Sequence, residues 1–269
     1  MKKLYFLGPV GTYSEFAARK VNEILESKYS LEEISTITKI VDLIDENSIA
    51  ILPIENSIEG IVRPTIDALY EYNVQIQAQT DINIEHCIFS KGKKENIKYI
   101  ISHPQALAQC SKYILNNFDK NIKLIDATST AAAIEKLIEK NEEYAAIGSF
   151  EVGQKLSLNL IDKNISNIKD NKTRFVLVSE NKIELGKKAR TSIVFNTKNE
   201  PGALLSILEI FKKYDLNLIY LESRPSKKVF GEYNFFVDID KGADEMENAL
   251  FEIQEKCNFY KLLGTYPSV

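Results

Sequence analysis

Asn171-Lys172-Thr173-Arg174-Phe175-Val176-Leu177-Val178-Ser179 is the stretch on which the fold turns. Phe175 to Val178 are aromatic, β-branched or aliphatic, the composition of a strand. The approach to them, Ile168 to Lys172, is polar. Thr173 and Arg174 therefore stand at the mouth of a strand, a common place for function in α/β folds. Arginine offers a planar fork of donors that matches a carboxylate bidentately. Threonine adds a hydroxyl that donates or accepts. Taken alone, these residues read first as an edge-strand start with a solvated arginine. The chain on either side must decide, and its grammar changes just beyond Ser179.

Before this stretch one pattern recurs: strand, polar turn, helix. Lys3 to Leu7 reads as a buried strand, followed by the turn Gly8-Pro9-Val10-Gly11-Thr12. Thr12 and Glu15 have capping-box spacing, so a helix starts there. A glycine-bearing turn at a helix start presents free N–H groups to an anion; an ordinary βα loop has the same composition. Ser48 to Ile54 is a second strand, ending in the polar cluster Glu55-Asn56-Ser57. These residues suit ligand contact, and spacing alone also suits capping. Val74–Ala78 and Ile82–Phe89 read as two further strands, and Ile97–Ile101 as another. Pro104 then fits a first helical position, with Ser102 or His103 at the cap. Gln105 and Gln109, four apart, share a helix face. After Ile122–Ile125, Thr128-Ser129-Thr130 crowd a helix N-terminus with hydroxyls. Tyr144–Ile147 is a short strand with a helical stretch behind it. This succession predicts α/β layers with a largely parallel sheet and its polar turns at the carboxyl ends of strands. Donors gathered at helix N-termini suit a small anion with more than one negative group.

After Glu180–Arg190, a polar linker, the order becomes βαββαβ, a ferredoxin-like unit over 191–269. Its open sheet edge invites dimerisation. The bulk properties set outer bounds. The 269 residues carry a net charge of −4, which gives no global pull toward nucleic acid or an anionic membrane. Cys87, Cys110 and Cys257 form no CxxC, and the two histidines, His86 and His103, show no ligand spacing, so no disulfide framework or metal site is expected. The apolar run near Met1 is too short for a signal-peptide core, and no stretch approaches a membrane span. A cytoplasmic location is expected.

Five ordered segments then resemble prephenate dehydratases: Gly8 to Ser14, Pro53 to Gly60, Ser102 to Cys110, Thr128 to Thr130, and Asn171 to Phe175. The C-terminal unit resembles an ACT domain through Gly202-Ala203-Leu204-Leu205 and Glu222-Ser223-Arg224-Pro225. One departure lies at Glu151-Val152-Gly153-Gln154-Lys155. The resemblance implies a catalytic domain over 1–180, built like type II periplasmic binding proteins. Its lobes are expected at about 1–75 with 160–180, and at 76–160. A linker over 181–190 and an ACT domain over 191–269 follow. It implies conversion of prephenate to phenylpyruvate by a monofunctional enzyme without cofactor, assembled as a homodimer or homotetramer and inhibited by L-phenylalanine, which Gly202, Ala203, Leu204, Leu205, Glu222, Ser223, Arg224 and Pro225 are expected to bind at a dimer interface. It implies Thr173 as the central catalytic residue, with Glu55, Asn56, Ser102, Gln109 and Arg174 beside it. Gly11, Thr12, Tyr13, Ser14, Ser57, His103, Thr128, Ser129, Thr130 and Phe175 are expected around the substrate. Glu55 or His103 is the expected proton source. Arg174 could instead pin a hinge. The rival readings are an arogenate dehydratase and a non-catalytic bilobal sensor of amino acids or anions.

Overall fold

The computed structural model describes residues 2–187, 189–226 and 231–269. The chain begins with β1 (Lys3–Leu7), α1 (Tyr13–Ile24), β2 (Ser30–Ile34), α2 (Ile37–Asp42), β3 (Ser48–Asn56), β4 (Gly60–Ile61), α3 (Arg63–Glu71) and β5 (Gln75–Asn83). A second group follows: β6 (Cys87–Ser90), β7 (Tyr99–Ser102), α4 (Pro104–Gln109), α5 (Ser111–Asn117), β8 (Lys123–Asp126), α6 (Thr130–Leu137), β9 (Tyr144–Gly148), α7 (Phe150–Lys155) and β10 (Asn159–Asp162). Then β11 (Lys172–Ser179) returns to the first sheet, between β3 and β5 in the order β2-β1-β3-β11-β5. The second sheet has the order β10-β6-β9-β7-β8.

Both sheets are mixed, not largely parallel. β1 pairs in parallel with β2 and β3, but β11 is antiparallel to both its neighbours. In the second sheet β6 runs against β9 and β10. The reversals fall where the chain crosses between sheets, near 84–86 and 163–171. The sheets also divide later than the sequence suggested: β5 belongs wholly to the first sheet and β10 to the second. The two strands expected at Val74–Ala78 and Ile82–Phe89 differ from the structure: β5 runs unbroken through Gln79-Thr80-Asp81 to Asn83. Gln77 and Gln79 are buried and have partners. Gln77 Oε1 accepts the N–H of Ile183 at 2.9 Å, and Gln79 Oε1 accepts from Arg190 Nη1 at 2.7 Å. β2 and α2 had no distinct sequence signal.

Strand alternation gives β11 two different faces. Phe175 and Leu177 pack with Leu4, Ile51 and the Ala17, Ala18 and Val21 face of α1. Val176 and Val178 point the other way, into a core that holds Ile66 and Leu69 of α3.

That second core is completed by the rest of the chain: β12 (Arg190–Asn196), α8 (Ala203–Lys213), β13 (Leu218–Pro225), β14 (Tyr233–Ile239), α9 (Glu247–Lys256) and β15 (Phe259–Tyr266). These give the βαββαβ order and a sheet β13-β14-β12-β15, antiparallel throughout. Val194, Phe236, Leu263 and Tyr266 share one core with Ile76, Val176 and Val178. Lys261 Nζ donates to the carbonyls of Leu69 (2.7 Å), Tyr70 (3.3 Å) and Tyr72, capping the C-terminal end of α3 from another sheet. Of the expected linker, Ile183 and Leu185 pack on the first sheet's core, and Lys188 lies outside the described residues.

Gly264 shows how close the units approach: a Cβ there would stand 2.3 Å from the Ile76 carbonyl oxygen. Gly264→Ala should therefore force β15 off β5 and cost about 1–3 kcal/mol in urea unfolding. An unchanged midpoint would mean that the contact yields freely.

Candidate active site

A cavity of about 500 Å³ lies between the first and second sheets. Its walls come from strand ends. Thr12, Tyr13 and Ser14 follow β1, Asn56 ends β3, His103 and Gln109 follow β7, and Thr128 to Thr130 follow β8. β11 contributes its amino end, Thr173 and Phe175, because it runs antiparallel to its neighbours. His86 and Asn171 line the cavity from the two crossings between sheets.

A chain of hydrogen bonds connects these groups, and its polarity can be worked out from one end. Asn56 Oδ1 accepts the backbone N–H groups of Ile58 (3.0 Å) and Glu59 (3.1 Å). Its amide orientation is thereby set, and Nδ2 must donate. It donates to Thr173 Oγ1 at 2.9 Å and to Asn171 Oδ1 at 2.8 Å. Asn56 and Thr173 are direct partners across β3 and β11, which holds the pair in place. With Asn56 filling an acceptor site on Thr173, the threonine proton remains available to donate to another group. Asn171 Nδ2 in turn donates to Gln109 Oε1 at 3.4 Å, and Gln109 Nε2 to Glu59 Oε1 at 3.1 Å.

The described residues lining the cavity include no lysine or arginine. Donors for an anion must come from neutral groups and helix ends. α1 starts without a side-chain cap, because the Thr12 hydroxyl donates back to the carbonyls of Leu7 (3.3 Å) and Pro9 (2.9 Å). Among the described residues, no side chain caps its first-turn N–H groups, which lie beside the cavity. Tyr13 is fixed across the opening, its OH donating to the Glu85 carbonyl at 2.5 Å. Burial pushes the Tyr13 phenol well above its ordinary pKa, so it remains a neutral donor. At α6, Ser129 Oγ accepts the N–H of Ala132 at 3.0 Å.

Five of the expected residues lie elsewhere. Arg174, next to Thr173 on a strand, points to the opposite face. It is 7% exposed. Its Nη1 stands 2.6 Å from Asp238 Oδ2 on β14, and its Nη2 3.1 Å from Glu55 Oε2. Burial works against the guanidinium charge, but Asp238, Tyr266 and Glu55 outweigh it and hold the pKa above the ordinary value. Arg174 therefore binds the third sheet and not a ligand in the cavity. Glu55 is its partner and is not among the described residues that line the cavity. Ser102 is fully buried and donates to the Ile147 carbonyl at 2.7 Å, behind the cavity wall. Ser57 fastens the turn after β3 to β11: its N–H donates to the Lys172 carbonyl at 2.9 Å. Gly11 serves close approach. Its φ is +85°, and a Cβ would meet Val152 Cγ2 at 2.9 Å. His103 caps α4, its Nδ1 accepting from Gln105 N at 3.4 Å, and still lines the cavity.

A family profile for prephenate dehydratase matches residues 4–183. The chain is 38% identical to the prephenate dehydratase of Methanocaldococcus jannaschii, over 99% of this chain and 98% of that one. The chain belongs to the prephenate dehydratase family. It is also 36% identical to a bifunctional chorismate mutase/prephenate dehydratase of Aquifex aeolicus, covering 98% of this chain and 73% of the relative. Among solved structures, a prephenate dehydratase from Arthrobacter aurescens in complex with L-Phe superposes with a TM-score of 0.87. That match has 28% identity and covers 98% of this chain and 89% of that one.

For this prephenate dehydratase family member, sequence reasoning missed His86, Asn171 and Glu59 as cavity residues. Asn171 had a usable signal, since it is two residues from Thr173 and strand alternation places both on one face. His86 had none beyond its rarity. The two runs of the C-terminal unit sit on different elements, 202–205 at the start of α8 and 222–225 on β13. Gly202 to Leu205 line a cavity of about 440 Å³ at the start of α8, with none of residues 222–225 among its described lining. Arg224, on edge strand β13, instead pairs with Asp67 of α3 at 3.2 Å.

Proposed function

We propose that the chain is a prephenate dehydratase that acts on prephenate in the cavity between the first two sheets. The observation that carries the mechanism is the 2.9 Å bond from Asn56 Nδ2 to Thr173 Oγ1. Prephenate has two carboxylates and a ring hydroxyl. Loss of CO2 sends an electron pair into the ring, and the ring C–O bond breaks as the ring becomes aromatic. The departing hydroxide takes up one proton and leaves as water, giving phenylpyruvate. Thr173, already accepting from Asn56, directs its own proton toward the leaving oxygen and stabilises the charge developing there. A threonine hydroxyl is too weak an acid to be the ultimate proton source at neutral pH. With Glu55 ion-paired on the far side of β11, His103 and cavity water fill that role in this reading. The carboxylates are held by Gln109, by the hydroxyls of Ser14, Ser129 and Thr130, and by the uncapped start of α1. The reaction needs charge stabilisation and one proton, so the proposal includes no cofactor.

In this reading the two sheets are the lobes of a domain built like type II periplasmic binding proteins, and the ferredoxin-like βαββαβ unit is an ACT domain. The enzyme works in the cytoplasm. Feedback by L-phenylalanine is part of the proposal, and the L-Phe complex of the Arthrobacter relative supports it. A site using both 202–205 and 222–225 at a dimer interface is part of this reading; residues 222–225 are not among the described lining of the cavity at 202–205. The exposed apolar residues Ile219 and Leu221 of edge strand β13 support a homodimer or homotetramer.

The test is phenylpyruvate absorbance after adding prephenate, with arogenate as the parallel substrate and millimolar L-phenylalanine as the inhibitor. Turnover of prephenate that L-phenylalanine suppresses is the expected result. Turnover of arogenate alone would transfer the reading to that substrate, and no turnover of either would favour a sensor.

A further inference from the structure

We propose that His86 is a positioning residue for the dehydratase reaction: its ring Nε2–H orients the Gln109 amide so that Gln109 Nε2 faces the substrate. The proposal rests on the prephenate dehydratase reading. His86 lies at the crossing between β5 and β6, 3% exposed, and lines the cavity. Its Nε2 is 3.1 Å from Gln109 Oε1.

The direction of that bond follows from the network. Two backbone N–H groups bind Asn56 Oδ1, so Asn56 Nδ2 donates to Asn171 Oδ1. Asn171 must then donate through Nδ2, to Gln109 Oε1. The other end of the Gln109 amide meets Glu59 Oε1, where a carboxylate wants a donor. A flipped Gln109 would set NH2 against NH2 at Asn171 and oxygen against oxygen at Glu59. Gln109 Oε1 therefore accepts, and His86 Nε2 must carry the proton that it receives.

The second ring nitrogen fits this assignment. Nδ1 is buried and has no hydrogen-bond partner among the described residues. An imidazolium there would leave a buried N–H unpaired, so the neutral ring with its proton on Nε2 is the low-cost form. Burial also lowers the His86 pKa below its ordinary value. The result is a relay from backbone to substrate in which each amide has one permitted orientation. Without His86, Gln109 Oε1 keeps only the longer bond from Asn171 among the described residues, and the amide, still turned the same way by Asn171 and Glu59, is held less firmly in place.

Two measurements test this. The first is kinetic. His86→Leu should lower kcat/KM for prephenate about tenfold, the worth of one such bond. His86→Gln, whose amide N–H can stand in for Nε2–H, should restore it to within about twofold. In a Gln109→Leu background, adding His86→Leu should change kcat/KM by less than about twofold, because the residue acts through Gln109. Full, additive losses in that background would overturn the proposal, as would a His86→Gln enzyme no better than His86→Leu. The second needs no turnover. The chain has two histidines, so imidazole 1H–15N correlation spectra resolve both. His86 should remain the neutral Nε2–H tautomer as pH falls through about 6.5, where an ordinary imidazole gains charge. An Nδ1–H tautomer, or an imidazolium at that pH, would overturn the proposal even in an active enzyme. A wild-type chain inert toward prephenate with the Nε2–H tautomer intact would instead remove the dehydratase reading.

Discussion

Thr173→Ala is expected to lower kcat by about 10²–10³-fold while KM for prephenate moves only a few-fold. The argument is geometric. Thr173 Oγ1 is held by Asn56 Nδ2 at 2.9 Å, and the two residues are register partners on neighbouring strands. The hydroxyl therefore needs no reorganisation when charge develops on the leaving oxygen. An interaction that strengthens only in the transition state affects turnover and not ground-state binding. Thr173→Ser keeps the oxygen and should retain most of the rate, whereas Thr173→Val keeps the shape and should behave like alanine. The comparison separates the hydroxyl from the packing of β11. A Thr173→Val enzyme with near-normal kcat would remove Thr173 from the chemistry.

Arg174→Met should destabilise the protein by about 3–5 kcal/mol, the cost of stranding one member of a buried ion pair. Asp238 is fully buried, and Arg174 is its partner at 2.6 Å. The Ser192 hydroxyl also donates to Asp238, but one neutral donor cannot replace a cation. Urea denaturation would measure the loss. Arg174→Met combined with Asp238→Leu should recover much of it, since an apolar pair of similar volume removes the uncompensated charge. A single variant within about 1 kcal/mol of the parent would mean that the pair carries no burial cost at all.

These two neighbours also show what was legible in the sequence. The succession of strand, polar turn and helix could be read directly. The ends of those strands supplied Thr12, Asn56, His103, Thr128 to Thr130 and Thr173, which line one cavity with Gln109 at the end of α4. A turn following a buried strand is a local pattern, and local patterns survive without coordinates. Facing was harder. Residue type and the family resemblance put both Thr173 and Arg174 at the substrate, with a hinge role as the alternative for Arg174, yet consecutive residues on a strand point apart. The partner that explains Arg174, Asp238, lies on a different sheet, and no nearby residue announces it. Ser102 fails as a ligand for a similar reason: it is the last residue of β7, turned into the packing against β9. The polar run Gln79-Thr80-Asp81 reads as a break between two strands, yet β5 passes through it, because Gln79 finds a partner in distant Arg190 and Thr80 in the Val269 carbonyl.

The close seating of β15 on β5 limits the kind of motion open to the C-terminal unit. Gly264 lies against the Ile76 backbone, Lys261 is inserted at the end of α3, and four side chains of the unit complete a core begun by the first sheet. Close-packed surfaces of this kind slide by small amounts or separate altogether; they do not swing about a flexible tether. A ligand held by that unit would therefore communicate by shear. Because Val176 and Val178 on one face of β11 alternate with Phe175 on the other, a small displacement of the packed sheets would be delivered to the strand that carries Thr173.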